Sequence, residues 1–221
     1  HTQTRTTADT DLSIGLGLGI QALEEKAGSL RFEARLACSS AAGGLNMVAS
    51  GLVPNLTAKA AKLAAFGAGA KVIKSYAYQL TREDAEEIGR IKPDIMLLTG
   101  GTDGGNSEVI LHNAGRIAKI PGSFPVVLAG NRCAQEECAQ LLSGSAHPVF
   151  CADNVMPEMN RLVTGPVQQV IRQVFLERII VAKGLSKTRS LLDGIMMPTP
   201  SAVLDGLTLL SCGNRKRSGI G

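Results

Sequence analysis

The chain has 221 residues and a mass of 23.1 kDa, with 44% hydrophobic and 19% charged residues. It is long enough to bury a full α/β core and too apolar to stay disordered, yet no uninterrupted apolar run approaches the roughly 20 residues that span a bilayer. The formal net charge is +4, of which Arg215, Lys216 and Arg217 supply three units, and the aromatics are five Phe, two Tyr and no Trp, so the body offers neither a basic stripe nor a stacking platform for nucleic acid.

Residues 11–25 carry two competing periods. Gly15, Gly17 and Gly19 alternate with apolar neighbours, while Leu12, Leu16, Ile20 and Leu23 share one helical stripe; the stripe predicts a helix weakened by its glycines. Short apolar runs at 32–38, 71–78, 94–99, 124–129 and 149–152 have strand length, and the middle ones are apolar on both faces, as buried parallel strands are. Segments with helical period separate them at 57–66, 81–91, 107–120 and 133–142. Thr81 with Asp84 makes a shortened capping box, and Gly67 and Gly69 can close the helix before them. The βαβ pattern repeats, so the fold class is α/β, with a largely parallel sheet flanked by helices. Past Pro157, residues 167–183 form an amphipathic helix stopped by Gly184, and Thr199 with Pro200 opens another. These boundaries predict an α/β lobe over 1–154 and a helical extension with a basic tail over 155–221.

The five cysteines, Cys38, Cys133, Cys138, Cys151 and Cys212, are odd in number and include no C-x-x-C pair. Reduced thiols in a cytoplasmic protein are the expectation. Cys133 and Cys138 do not share a helical face, and no two histidines stand at metal-ligand spacing, so no metal site is expected. The chain starts at His1 with no signal-peptide pattern and is expected to be a piece of a longer protein.

The strongest candidate site is Thr99-Gly100-Gly101-Thr102-Asp103-Gly104-Gly105-Asn106, between an apolar strand and a helix. Ligands of open parallel sheets collect at the carboxyl ends of strands. Glycines let backbone approach a ligand, and the following helix start presents free N–H groups to an anion. Thr102 and Asn106 can donate hydrogen bonds, and Asp103 can take a proton from water or hold a metal-bound water. The competing reading is a tight turn whose glycines serve geometry and whose Asn106 caps the helix. The loop is neither a Walker loop nor G-x-G-x-x-G. Ser39-Ser40-Ala41-Ala42-Gly43-Gly44 and Gly130-Asn131-Arg132 follow two other predicted strands and would line the same crevice if those strands are neighbours, with Asn154 joining them; plain turns explain them equally. Ser39 and Ser40 lack a nucleophile elbow, and His112 reads as a packing residue of a helix.

Five ordered motifs together carry a resemblance: Ala37-Cys38-Ser39-Ser40-Ala41-Ala42-Gly43-Gly44-Leu45, Leu97-Leu98 with the loop to Asn106, Ala129-Gly130-Asn131, Asn154-Val155-Met156-Pro157 and Met197-Pro198-Thr199-Pro200. From about Thr6 to Cys212 the chain resembles the glutamate mutase accessory family called MutL or GlmL, unrelated to mismatch-repair MutL. That family is similar to the actin, Hsp70 and sugar-kinase superfamily, whose two ribonuclease-H-like lobes close on ATP and Mg²⁺. The resemblance implies a cytoplasmic, chaperone-like ATPase that reactivates an adenosylcobalamin-dependent mutase such as methylaspartate (glutamate) mutase by exchanging damaged cobalamin for intact cofactor.

Under this resemblance Asp103 would orient the attacking water, and Ser39, Ser40, Gly43, Gly44, Thr99, Gly100, Gly101, Thr102, Gly104, Gly105, Asn106 and Asn131 would hold nucleotide or phosphate. The Asp-x-Gly-[Ser/Thr] turn that such proteins use for Mg²⁺ and phosphate does not occur in this sequence, so this piece alone is expected to be inactive and to bind ATP weakly. Two alternatives stand beside this: a non-catalytic module docking on the mutase through residues 155–212, and a Rossmann-like enzyme binding a phosphorylated small molecule.

Overall fold

Contacts in the computed structural model gather the chain into two units, residues 42–175 and residues 1–41 with 176–221, whereas the sequence places its boundary at 154/155. The structure describes residues 1–5, 7, 11–28, 32–39, 45–66, 68–182 and 191–212.

In the first unit by sequence, α1 (Leu12–Ala27) obeys the helical stripe and not the two-residue alternation. Its cap Asp11 accepts from the Ser13 N–H at 2.9 Å and the Ser13 hydroxyl at 2.6 Å, satisfying an orphan donor of the first turn. β1 (Leu36–Ser39) pairs in parallel with β7 (Gly194–Pro198) in a two-stranded sheet, and α7 (Thr199–Cys212) follows directly. The Arg35 N–H donates to Asp193 Oδ2 at 2.6 Å, and the Asp193 N–H donates to the Arg35 carbonyl at 2.9 Å. Two expectations are corrected here. The run at 32–38 is not part of the large sheet, and 155–212 is not helical throughout, since Gly194–Pro198 is a strand too short to show a period.

In residues 42–175, five strands run parallel in the order β3-β2-β4-β5-β6: β2 (Leu45–Gly51), β3 (Ala70–Ala77), β4 (Ile95–Leu98), β5 (Val126–Leu128) and β6 (Val149–Cys151). The α/β class with a parallel sheet flanked by helices is therefore what the protein has. β2, whose Asn46 and Ser50 interrupt its apolar pattern, lies inside the sheet between β3 and β4 and is not among the strands read from the sequence. All of β4 and β5 is buried, as strands covered on both faces must be. The chain leaves β2 through α2 (Pro54–Ala65) to β3, then returns through α3 (Arg82–Ile91) to β4 on the other side of β2. This order is the doubly wound, flavodoxin-like one, with its switch point between β2 and β4. It lends no support to the ribonuclease-H-like lobe that the resemblance implies.

Local chemistry explains the helices. In α2 the buried residues are Thr57 and four alanines, small enough for close packing on β2 and β3. Thr81 and Asp84 form a reciprocal capping box on α3. α4 (Glu108–Ile117) buries Ile110, Asn113, Ala114 and Ile117 on one stripe. A 3₁₀ turn at Arg132–Ala134 leads into α5 (Gln135–Ser143), and α6 (Gly165–Ala182) follows β6. Among the described residues no helix is long and apolar enough to cross a membrane.

Candidate functional site

The carboxyl ends of β4, β5 and β6 bring three of the sequence-predicted segments together. Thr99 leaves β4 fastened to β2, its N–H and its hydroxyl both donating to the Ser50 carbonyl at 2.8 and 3.1 Å. Gly100, Gly101 and Gly104 have φ of 139°, 73° and 73°, a region that L side chains rarely adopt. A Cβ on Gly101 would collide with the Asn106 carbonyl oxygen. At the end of β5, a Cβ on Gly130 would lie 2.9 Å from both backbone N and O of Gly100, so the two loops touch through bare backbone.

Asn131 clamps the loop from the β5 side and is 1% exposed. Its Oδ1 accepts from the Gly104 N–H at 3.1 Å and the Cys133 N–H at 3.0 Å, while its Nδ2 donates to the carbonyls of Gly105 at 3.1 Å and Asn106 at 3.4 Å. Asn154, after β6, donates from Nδ2 to the Gly101 carbonyl at 3.0 Å and to Asp103 Oδ1 at 2.9 Å. The same Asp103 oxygen accepts from the Arg132 N–H at 3.0 Å, and the Asp103 N–H donates to the Pro157 carbonyl at 3.0 Å. Asn106 Oδ1 accepts from the Val109 N–H at 3.3 Å, which is the capping role that the competing reading gave it. Gly104, Gly105 and Asn106 are exposed at the tip, and Thr102 is half-buried.

Beside this loop the switch-point crevice is lined by Leu52, Val53, Leu56, Thr57, Thr99, Gly100 and Met156, among others, and measures about 20 Å³. That is room for about one water molecule. The helix that opens at it, α2, has Pro54 in its first turn, which removes one N–H, and Val53 as a cap with no side-chain hydrogen bond. Among the described residues no three His, Cys, Asp or Glu side chains gather as metal ligands. One oxygen of Asp103 is committed to two protein donors. The described residues show no built seat for ATP with Mg²⁺, and no chemical step through them is assigned to this chain.

Ser39 ends β1 opposite Pro198, in the unit of residues 1–41 with 176–221; Ser40, Gly43 and Gly44 lie outside the described residues. The premise that placed them on this crevice, a strand of the same sheet ending at Cys38, does not hold. Leu45, which follows them, starts β2 at the amino edge of the sheet, the edge opposite the loop.

Sequence reasoning missed Asn113, fully buried in α4. It donates to Ser50 Oγ at 3.0 Å and to the Tyr78 carbonyl at 2.9 Å, and accepts from the Leu80 N–H at 2.8 Å. The turn it holds gives Tyr78 a φ of 66°. The available signal was an amide on the apolar stripe of Ile110, Ala114 and Ile117, since a buried amide needs partners. His112 donates from Nε2 to the Leu80 carbonyl at 3.1 Å, a packing role as expected. Cys138 is buried, and burial pushes its thiol up to about 12.

Among solved structures, similar chains include a short-chain flavodoxin associated with a bacterial microcompartment (TM-score 0.40, 12% identity, covering 60% of this chain and 96% of that one). The signal receiver domain of NarL from Mycobacterium tuberculosis matches at TM-score 0.36 and 14% identity, covering 58% and 94%. The family model described as MutL protein matches residues 1–221. A curated relative, "Protein MutL" from Clostridium tetanomorphum, is 44% identical over 218 residues, which is 98% of this chain and 47% of the relative. The chain thus spans about half the length of that relative. With its whole length matched by the family model and the five motifs in order, the chain belongs to the MutL family of glutamate mutase accessory proteins, distinct from mismatch-repair MutL.

Proposed function

We propose that this chain is part of an accessory protein that keeps an adenosylcobalamin-dependent mutase of the methylaspartate (glutamate) type active by exchanging damaged cobalamin for intact cofactor. The observation that carries this reading is the 44% identity over 98% of the chain, and it reaches the function only through the family. ATP and Mg²⁺ would serve the complete protein. Within this chain the hydrogen bonds favour the non-catalytic reading, because Asn131 and Asn154 turn the polar groups of residues 99–106 onto one another. The crevice of about 20 Å³ likewise disfavours a free-standing enzyme for a phosphorylated small molecule.

The test is reactivation of a mutase holding damaged cobalamin by the complete protein with fresh adenosylcobalamin, with and without Mg-ATP. Recovery of mutase activity that requires the protein is expected, and no recovery overturns the reading. The role of Asp103 separates in the same assay. As a scaffold it tolerates Asp103→Asn, whose Oδ1 can still accept from Arg132 and Asn154, while Asp103→Ala lowers stability by about 1–3 kcal/mol. If Asp103 instead orients water, Asp103→Asn leaves stability unchanged and abolishes reactivation.

A further inference from the structure

The β1–β7 pair is parallel but has only two strands. Parallel sheets depend on cover over both faces, and two strands alone are marginal in water. Among the described residues β1 has β7 on one side and no strand on the other. Its Leu36 is 59% exposed, and Cys38 is an exposed free thiol. In the same unit Ile14 and Leu18, four residues apart on α1, are 53% and 54% exposed, and Val203 and Leu207, four apart on α7, are each 55% exposed. Apolar residues at this spacing form stripes that face a partner in folded proteins. An open strand edge, in a unit that also exposes apolar stripes, invites strand addition, in which main-chain hydrogen bonds attach the new strand and its alternate side chains cover apolar surface.

The comparison of lengths supplies the occupant. The chain accounts for 47% of its curated MutL relative, so over half of such a protein has no counterpart here. We propose that in the complete protein a strand from that remainder adds to the free edge of β1, and that the apolar residues accompanying it cover the stripes of α1 and α7. This holds whatever enzyme the protein serves.

The experiment uses the complete protein, with Cys133, also an exposed free thiol, as internal reference. Alkylation of Cys38 is expected to run at least about tenfold more slowly than that of Cys133, and all amides of residues 36–39, those facing β7 and those facing away, to be protected from hydrogen exchange. Both results should hold at every protein concentration and without mutase. Fast exchange of the outward amides overturns the proposal whatever the thiol does. Protection that grows with protein concentration would assign the edge to a second copy, and protection that needs added mutase would assign it to the mutase; either result also overturns it.

Discussion

In residues 42–175, β4 and β5 are buried along their whole length, and Ile88 of α3 and Ile110 and Ile117 of α4 are at most 1% exposed. In residues 1–41 with 176–221, α7 leaves Leu209 60% and Leu210 84% exposed, and the sheet stops at two strands. Both regions are rich in apolar residues but cover them by different means. The larger unit interleaves each strand with a helix of its own sequence, so its apolar faces meet each other. The smaller unit has its strands separated by the whole of the larger one, and Ile14 and Leu18 on α1 and Val203 and Leu207 on α7 stay exposed. Self-sufficiency here is a property of connectivity more than of composition.

The sharpest way to break this comparison is truncation on either side of it. Leu98→Ala, in β4, should cost about 2–5 kcal/mol, whereas Leu207→Ala, on a half-exposed stripe of α7, should change stability by about 0.5 kcal/mol or less. Urea unfolding followed by far-ultraviolet circular dichroism reads both, and equal losses would erase the distinction. Next in size, Asn131→Ala leaves the N–H groups of Gly104 and Cys133 and the Gly105 carbonyl without their partner, for a loss of about 1–3 kcal/mol. Faster amide exchange at residues 102–106 should accompany it. Thr81→Ala removes one half of the α3 capping box and should cost about 1 kcal/mol, visible as a lower midpoint with an unchanged slope.

The smallest effect is set by pH. Hydrogen bonds from Lys74 and then from Tyr76 hold the Glu87 carboxyl below its ordinary value of 4.5. A lowered value in the folded state gives stability that is complete above the ordinary carboxylate range and is lost as pH falls through the folded value. Glu87→Gln should therefore lower stability slightly in the neutral region and flatten the acid limb below about pH 4.5, so that the two profiles converge at low pH.

Legibility in the sequence followed the range of the forces involved. β4 could be read because Ile95, Met96, Leu97 and Leu98 are contiguous and buried on both faces, and α3 because Thr81 and Asp84 are three residues apart. β2 could not, since Asn46 and Ser50 break its apolar run and its strand character comes from β3 and β4 beside it. The membership of β1 depends on a partner far along the chain, Arg35 and Asp193 being 158 residues apart, and no local period encodes that. The loop at 99–106 was legible as a loop, and its meeting with Asn131 and Asn154 was legible as a possibility. The inward direction of its hydrogen bonds was not, because it is decided by side chains arriving from two other strand ends.

The insertion of residues 42–175 between β1 and β7 has a consequence for synthesis. When Leu36–Ser39 leaves the ribosome its partner strand does not yet exist, and at typical elongation rates the wait is on the order of ten seconds. The inserted unit can complete itself during that interval, while the early strand stays available to holdase chaperones or to the strands of neighbouring nascent chains.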